Sequence, residues 1–113
     1  MDLETIQYTL DRKVDPSDRE SLERKLNDCI ELLGISAKLK SLTYKKLFKK
    51  KEKLMIENEG TKTALLRMIV EAGTSDENAE YLLAERLNVS LSKAIDGLKS
   101  VLNITKDESA VKW

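Results

Sequence analysis

Nine residues, Leu83-Ala84-Glu85-Arg86-Leu87-Asn88-Val89-Ser90-Leu91, settle the architecture. Taken as one helix, they continue an apolar stripe that enters at Ala79 and leaves through Ala94, Leu98 and Val101 with Leu102. The whole series Ala79, Leu83, Leu87, Leu91, Ala94, Leu98, Val101 keeps steps of three and four, the period of a single helical face. Its unbroken phase predicts one helix over roughly 76–107. Gly73-Thr74-Ser75 interrupts the chain before it, and Thr74 with Glu77 three residues on has the spacing of a capping box. Ser109-Ala110-Val111-Lys112-Trp113 reads as a frayed tail.

Such a helix needs a partner, and the sequence offers one upstream. Leu22, Leu26, Ile30, Leu33, Ala37, Tyr44, Leu47 or Phe48, and Leu54 step by three, four or seven. Gly34 lies inside this run and costs about 1 kcal/mol relative to Ala. The phase is the same on both sides of it, so the spacing predicts one helix over roughly 16–58, with Gly34-Ile35-Ser36 the place for any bend. At 1.5 Å per residue it reaches roughly 60 Å. Leu3, Ile6 and Leu10 predict a short helix within 1–13, ended by Val14-Asp15-Pro16. There Asp15 is expected to cap the next helix and Pro16 to occupy its first turn. Asn58-Glu59-Gly60-Thr61 reads as a C-cap and loop, and Ala64, Leu65, Met68 and Ile69 mark a short helix over 63–72. The expected fold is all-α. It is a single domain over 1–113, built on a long antiparallel helical hairpin with short flanking helices. Its core is small for its length, so self-association into a homo-oligomer is expected.

A different reading of 83–102 is a helix-turn-helix regulator that reads duplex DNA. Asn88 would take the turn, where a left-handed backbone is wanted and Asn is tolerated, and 63–72 would supply the preceding helix. The continuous stripe opposes it. So does a recognition helix offering Ser92, Lys93, Asp96, Gly97 and Lys99, which is poorly basic, with no two-stranded wing to follow.

Composition narrows the function classes. The chain has 113 residues, one Cys and no His, so it lacks a disulfide framework, zinc-ligand spacing and the commonest general base. No nucleophile and base pair stands out, so the expectation is a non-enzymatic protein without cofactor or metal. Cys29, beside Ile30 on the stripe, reads as a buried thiol. Met1-Asp2-Leu3-Glu4 begins neither a basic nor an apolar leader, and no apolar run approaches the ~18 residues of a membrane span. A cytoplasmic protein with no membrane partner is expected.

Charge is the distinguishing feature. Lys plus Arg and Asp plus Glu number 20 each. Yet Lys38, Lys40, Lys45, Lys46, Lys49, Lys50, Lys51 and Lys53 face a single carboxylate, Glu52, within 38–53, a local charge of +7 that leaves −7 for the remainder. Like charges three and four apart repel, so the run either serves a polyanion or meets an acidic surface. Lys38, Lys45, Lys46, Lys49, Lys50, Lys51 and Lys53 are the candidate nucleic-acid-binding residues, holding phosphates without reading bases. Tyr44 and Phe48 lie among them. They are placed to stack on unpaired bases, but their position on the stripe favours the hairpin core. Asp76, Glu77, Glu80, Glu85, Asp96, Asp107 and Glu108 give the last helix an acidic side that could instead meet the lysines within the chain or across a subunit interface. Trp113 reads as an anchor for a partner or as part of the frayed end.

The layout also resembles phage recombination mediators of the UvsY type. The likeness is carried by Leu3-Glu4 with Ile6, by Val14-Asp15, by Lys45-Lys46-Leu47 and Lys49-Lys50-Lys51 through Gly60, and by Ala94-Ile95-Asp96-Gly97-Leu98-Lys99-Ser100. It implies an oligomeric helical protein that binds single-stranded DNA. Such a protein helps load a recombinase onto DNA covered by single-strand-binding protein, in the bacterial host cytoplasm if phage-encoded. Where such proteins place aromatic residues before the Gly, this chain has Glu57-Asn58-Glu59. The leading expectation is therefore a sequence-nonspecific, single-stranded-DNA-binding accessory protein of recombination or replication. The alternatives are a helical adaptor that binds only protein and the helix-turn-helix regulator.

Overall fold

The computed structural model describes the backbone of residues 3–111 and the side chains of residues 3–104. Among the described residues there are four helices and no strand: α1 (Leu3–Asp11), α2 (Arg19–Glu57), α3 (Thr63–Gly73) and α4 (Ser75–Val111). α4 carries backbone helix through Ser109-Ala110-Val111, where the sequence predicts a frayed tail. Trp113 and the side chains of Asp107 and Glu108 lie outside the described residues.

Each boundary has a local cause. Lys25 Nζ donates to the carbonyls of Leu10 at 3.3 Å and Arg12 at 2.7 Å, satisfying acceptors that the end of α1 leaves open. Arg12 pairs with Asp28 at 3.1 Å, tying the same end to α2. The expected cap at Asp15 is not the cap of α2. Asp15 Oδ1 accepts from the Ser17 amide and hydroxyl in a tight turn, and Asp18 caps instead, accepting from the Ser21 amide at 3.2 Å and hydroxyl at 2.6 Å. Both Asp residues can accept locally; Asp18 alone stands three residues ahead of a serine within the first helical turn. α2 then runs 39 residues without interruption through Gly34. It stops where the Asn58 side chain donates to Leu54 O at 2.8 Å and Gly60 takes φ +89°, a left-handed turn that suits glycine.

α3 and α4 are separated by one residue. Thr74 is buried, its amide donates to Val70 O, and its own carbonyl accepts from the Asn78 amide, so this one residue closes the last turn of α3 and opens the first of α4. The capping box expected of Thr74 and Glu77 does not form. The Thr74 hydroxyl donates backwards to Val70 O at 2.7 Å, and the Glu77 carboxylate is taken by Lys50. With the preceding turn helical, the Thr74 hydroxyl finds the carbonyl four residues back within reach and bonds there. A Cβ on Gly73 would lie 2.7 Å from Leu54 Cδ1, so this glycine lets α3 approach α2 closely.

The core is a seam between α2 and α4. Residues that ascend along α2 meet residues that descend along α4: Ser36 bonds Asn88, Lys46 pairs with Glu80, and Lys50 with Glu77. At one end α1 caps the seam, where Ile6, Cys29, Leu32, Leu87, Leu91 and Ile95 form the buried cluster. The seam keeps part of each stripe predicted from sequence, burying Leu22, Leu47, Leu87, Leu91 and Leu102, and departs from the rest. On α2, Ile30, Ala37, Tyr44 and Phe48 are exposed, and Cys29, Leu32, Ser36 and Thr43 are buried in their place. On α4, Ala79 and Leu83 are exposed, while Ala84, Leu87, Leu91, Ile95 and Leu102 are buried. Four residues turn a helix by more than one revolution, so a run of fours drifts around it, and Ala79 and Leu83 fall off the face on which Leu87 and Leu91 are buried. Alternating steps of three and four stay on it. The polar seam residues are satisfied locally: Ser36 donates to Leu33 O, and Thr43 to the carbonyls of Leu39 and Lys40.

The result is a rod of 76 × 23 × 18 Å with a radius of gyration of 20.6 Å. A compact chain of this length has a radius of gyration of about 13 Å. α4 passes through 83–102 as uninterrupted helix, so the helix-turn-helix expected as an alternative is absent. Asn88, its would-be turn residue, donates from Nδ2 to Ser36 Oγ at 2.8 Å inside the seam.

Candidate nucleic-acid interface

The middle of α2 carries the lysines as a helix must, spread around its axis at about 100° per residue. Lys38, Lys45, Lys49 and Lys53 are exposed; Lys40 and Lys51 are half-buried at the edges of the seam. The α4 acids meet only part of this run. Lys50 Nζ lies 2.6 Å from Glu77 Oε1 and Lys46 Nζ 3.5 Å from Glu80 Oε2, while Lys53 reaches Glu57 on its own helix at 3.9 Å. Among the described residues, Lys38, Lys40, Lys45, Lys49 and Lys51 make no ion pair. Glu85, another of the acids, is half-buried and makes no ion pair with these lysines; its proximity raises the pKa of the Tyr81 hydroxyl. The seven candidate lysines therefore divide into Lys46, Lys50 and Lys53, partly neutralised, and Lys38, Lys45, Lys49 and Lys51, whose charge is free for an anion.

The two aromatics are not core, contrary to the reading favoured from sequence. Tyr44 is 52% exposed and Phe48 57%. Their rings lie nearly parallel, 19° apart with centroids at 6.4 Å. Tyr81 of α4 meets Tyr44 at 5.5 Å and 59°. The seam takes Thr43 and Leu47 one position earlier, which turns Tyr44 and Phe48 outward beside the unpaired lysines. Tyr81 was missed in the sequence because it falls between the residues of the stripe assigned to α4. Its seven-residue spacing from Asn88 was the available signal. Tyr44, Tyr81 and Asn88 line one open cleft between α2 and α4, together with Ala37, Lys40 and Ser41.

Elsewhere the chemistry is quiet. Cys29 is fully buried, and burial pushes its thiol up from the usual value, away from the reactive thiolate. Among the described residues no cluster of three or more Cys, Asp or Glu is arranged to hold a metal ion, and no helix is long and apolar enough to cross a membrane.

Three carboxylates are held below their ordinary values. The Ser17 amide and hydroxyl do this for Asp15, the Ser21 hydroxyl and amide for Asp18, and the Lys50 ammonium, then its own amide, for Glu77. A lowered native value means stability present above the unfolded value and lost as pH falls through the native one. The loss should thus begin below the ordinary values of 3.8 for Asp and 4.5 for Glu. Urea denaturation midpoints should fall between about pH 6 and about pH 3, and less steeply in Glu77→Gln. An equal slope in the variant would deny Glu77 its share.

Comparison with protein-family models, with curated proteins and with solved structures found no match to this chain.

Proposed function

We propose that the chain is a non-enzymatic accessory protein that binds single-stranded DNA without sequence preference through the lysine-rich middle of α2. The observation that carries this reading is the exposure of Tyr44 and Phe48 next to lysines that no acid among the described residues neutralises. Lysines on a rigid rod attract the sugar-phosphate backbone, and half-exposed rings beside them offer stacking surface to unpaired bases. The UvsY-type resemblance extends the proposal to a recombination mediator that delivers a recombinase to coated DNA in the cytoplasm. In it, α2 and α4 serve as a long antiparallel hairpin and several copies associate. No cofactor enters this role.

The test is a salt titration. With about four phosphates contacted, the slope of log affinity against log salt should be near −3 for a single strand, by fluorescence anisotropy. Absence of binding at low salt would remove the proposal. A second reading, the helical adaptor, is supported by Met55, Ile56, Leu65 and Met68, which are apolar and exposed where α2 turns into α3. It expects a protein complex and no gel shift with any nucleic acid.

A further inference from the structure

We propose that the cleft between α2 and α4 at Tyr44 and Tyr81 is a base-binding subsite that takes one unpaired nucleobase of a single strand; this rests on the nucleic-acid reading above. Three features of the cleft support it.

The first is an aromatic wall held in place. Tyr44 has Tyr81 tilted against it at 5.5 Å and Phe48 near-parallel at 6.4 Å, and is still 52% exposed. Tyr81 is itself half-buried between the two helices, so the ring that backs Tyr44 is held by packing. A ring pinned on one side and half exposed on the other loses little freedom when a base stacks on it.

The second is space. The cleft is lined at Ala37 and Ser41 by small side chains, so a flat ring can enter alongside Tyr44. Asn88 lies at its inner side with one amide hydrogen committed to Ser36 Oγ, leaving an acceptor oxygen and a second N–H for the edge of a base. That amide can serve either donors or acceptors, which gives contact without strong sequence preference.

The third is charge. Lys40, one helical turn before Tyr44, lines the same cleft and makes no ion pair among the described residues; Lys51 follows Tyr44 by two turns and is likewise unpaired. A strand whose base occupies the cleft places phosphates near cations on both sides, whereas a buried apolar peptide would leave these ammonium groups desolvated. Base stacking and phosphate neutralisation thus converge on one segment of α2.

The experiment compares the full chain binding a thymidine oligonucleotide with its binding to an abasic backbone of equal length. Stacking on an aromatic side chain favours the base-bearing strand by about tenfold or more, and Tyr44→Ala should bring its affinity down to the abasic level with the salt slope unchanged. A bromodeoxyuridine oligonucleotide should crosslink at Tyr44 or Tyr81. Tyr44 is exposed, so the substitution leaves the seam intact, and circular dichroism verifies this. Equal binding of both strands at a slope near −3 overturns the subsite while leaving the lysine reading in place; no binding to either overturns both. A change in sedimentation on Tyr44→Ala with base discrimination retained also overturns the subsite, and would assign the cleft to contact between copies.

Discussion

Val89→Pro is expected to destabilise the protein by about 3 kcal/mol or more, because proline inside a helix removes one hydrogen bond and clashes with the preceding turn. Val89 lies well inside α4, between the buried Leu87 and Leu91, yet is itself 45% exposed. The substitution therefore probes backbone continuity with little loss of packing. A control, Val89→Ala, keeps the amide and should change stability by well under 1 kcal/mol. Native domains are stable by only 5–15 kcal/mol or so, so the proline variant should show a large fall in urea midpoint or fail to fold, while the alanine variant matches the parent. The effect should be larger than for an average helix, because both halves of α4 hold partners on α2: Ala84 and Tyr81 on one side of the substitution, Leu91 and Ile95 on the other. A kink at 89 cannot keep both in register. If Val89→Pro were tolerated, 87–91 would be a turn and the continuous rod would be wrong.

The second large effect concerns binding. Replacing Lys38, Lys45, Lys49 and Lys51 together by Gln should weaken affinity for single strands on the order of a thousandfold at about 50 mM salt, and flatten the salt dependence, since four released counterions contribute a slope of roughly −3. These four are chosen because no acid of the described chain pairs with them. Their removal also relieves like-charge repulsion along α2, so helicity by circular dichroism should persist. The contrast is Lys46→Gln with Lys50→Gln. These two face Glu80 and Glu77 across the seam, so their change should disturb the pairing of α2 with α4 and reduce affinity less. Unaltered binding in the quadruple variant would remove the lysine segment as the interface. A larger loss from the Lys46 and Lys50 pair would move the interface to the side of α2 that faces Glu77 and Glu80.

Much of the architecture is written in local pattern. The uninterrupted spacing across Gly34 and across Asn88 carried the two long helices, and the Asn58–Thr61 loop and the short helix at 63–72 follow from turn chemistry and apolar spacing. The lysine segment is plain composition. Less legible was the face each helix turns to its partner. α2 carries apolar residues on two adjacent stripes, one through Leu22, Cys29, Leu32 and Leu47 and one through Ile30, Ala37, Tyr44 and Phe48. Hydrophobicity favours the second, since the first is interrupted by Ser36 and Thr43. Those hydroxyls bond to carbonyls of their own helix, and Ser36 also accepts from Asn88, so their burial leaves no polar group unmet.

The order of helices, their lengths and the crowding of cations into 38–53 are thus properties of the linear chain, because helix period, capping and charge act over a few residues. Which stripe is buried, which lysines are neutralised and whether Tyr44 meets Tyr81 were set when α2 and α4 came together. Those outcomes depend on a seam that must alternate steps of three and four to stay in contact over its whole length, and on groups far apart in sequence. A one-residue rotation of α2 is nearly neutral for an isolated helix, and packing against α4 removes that freedom.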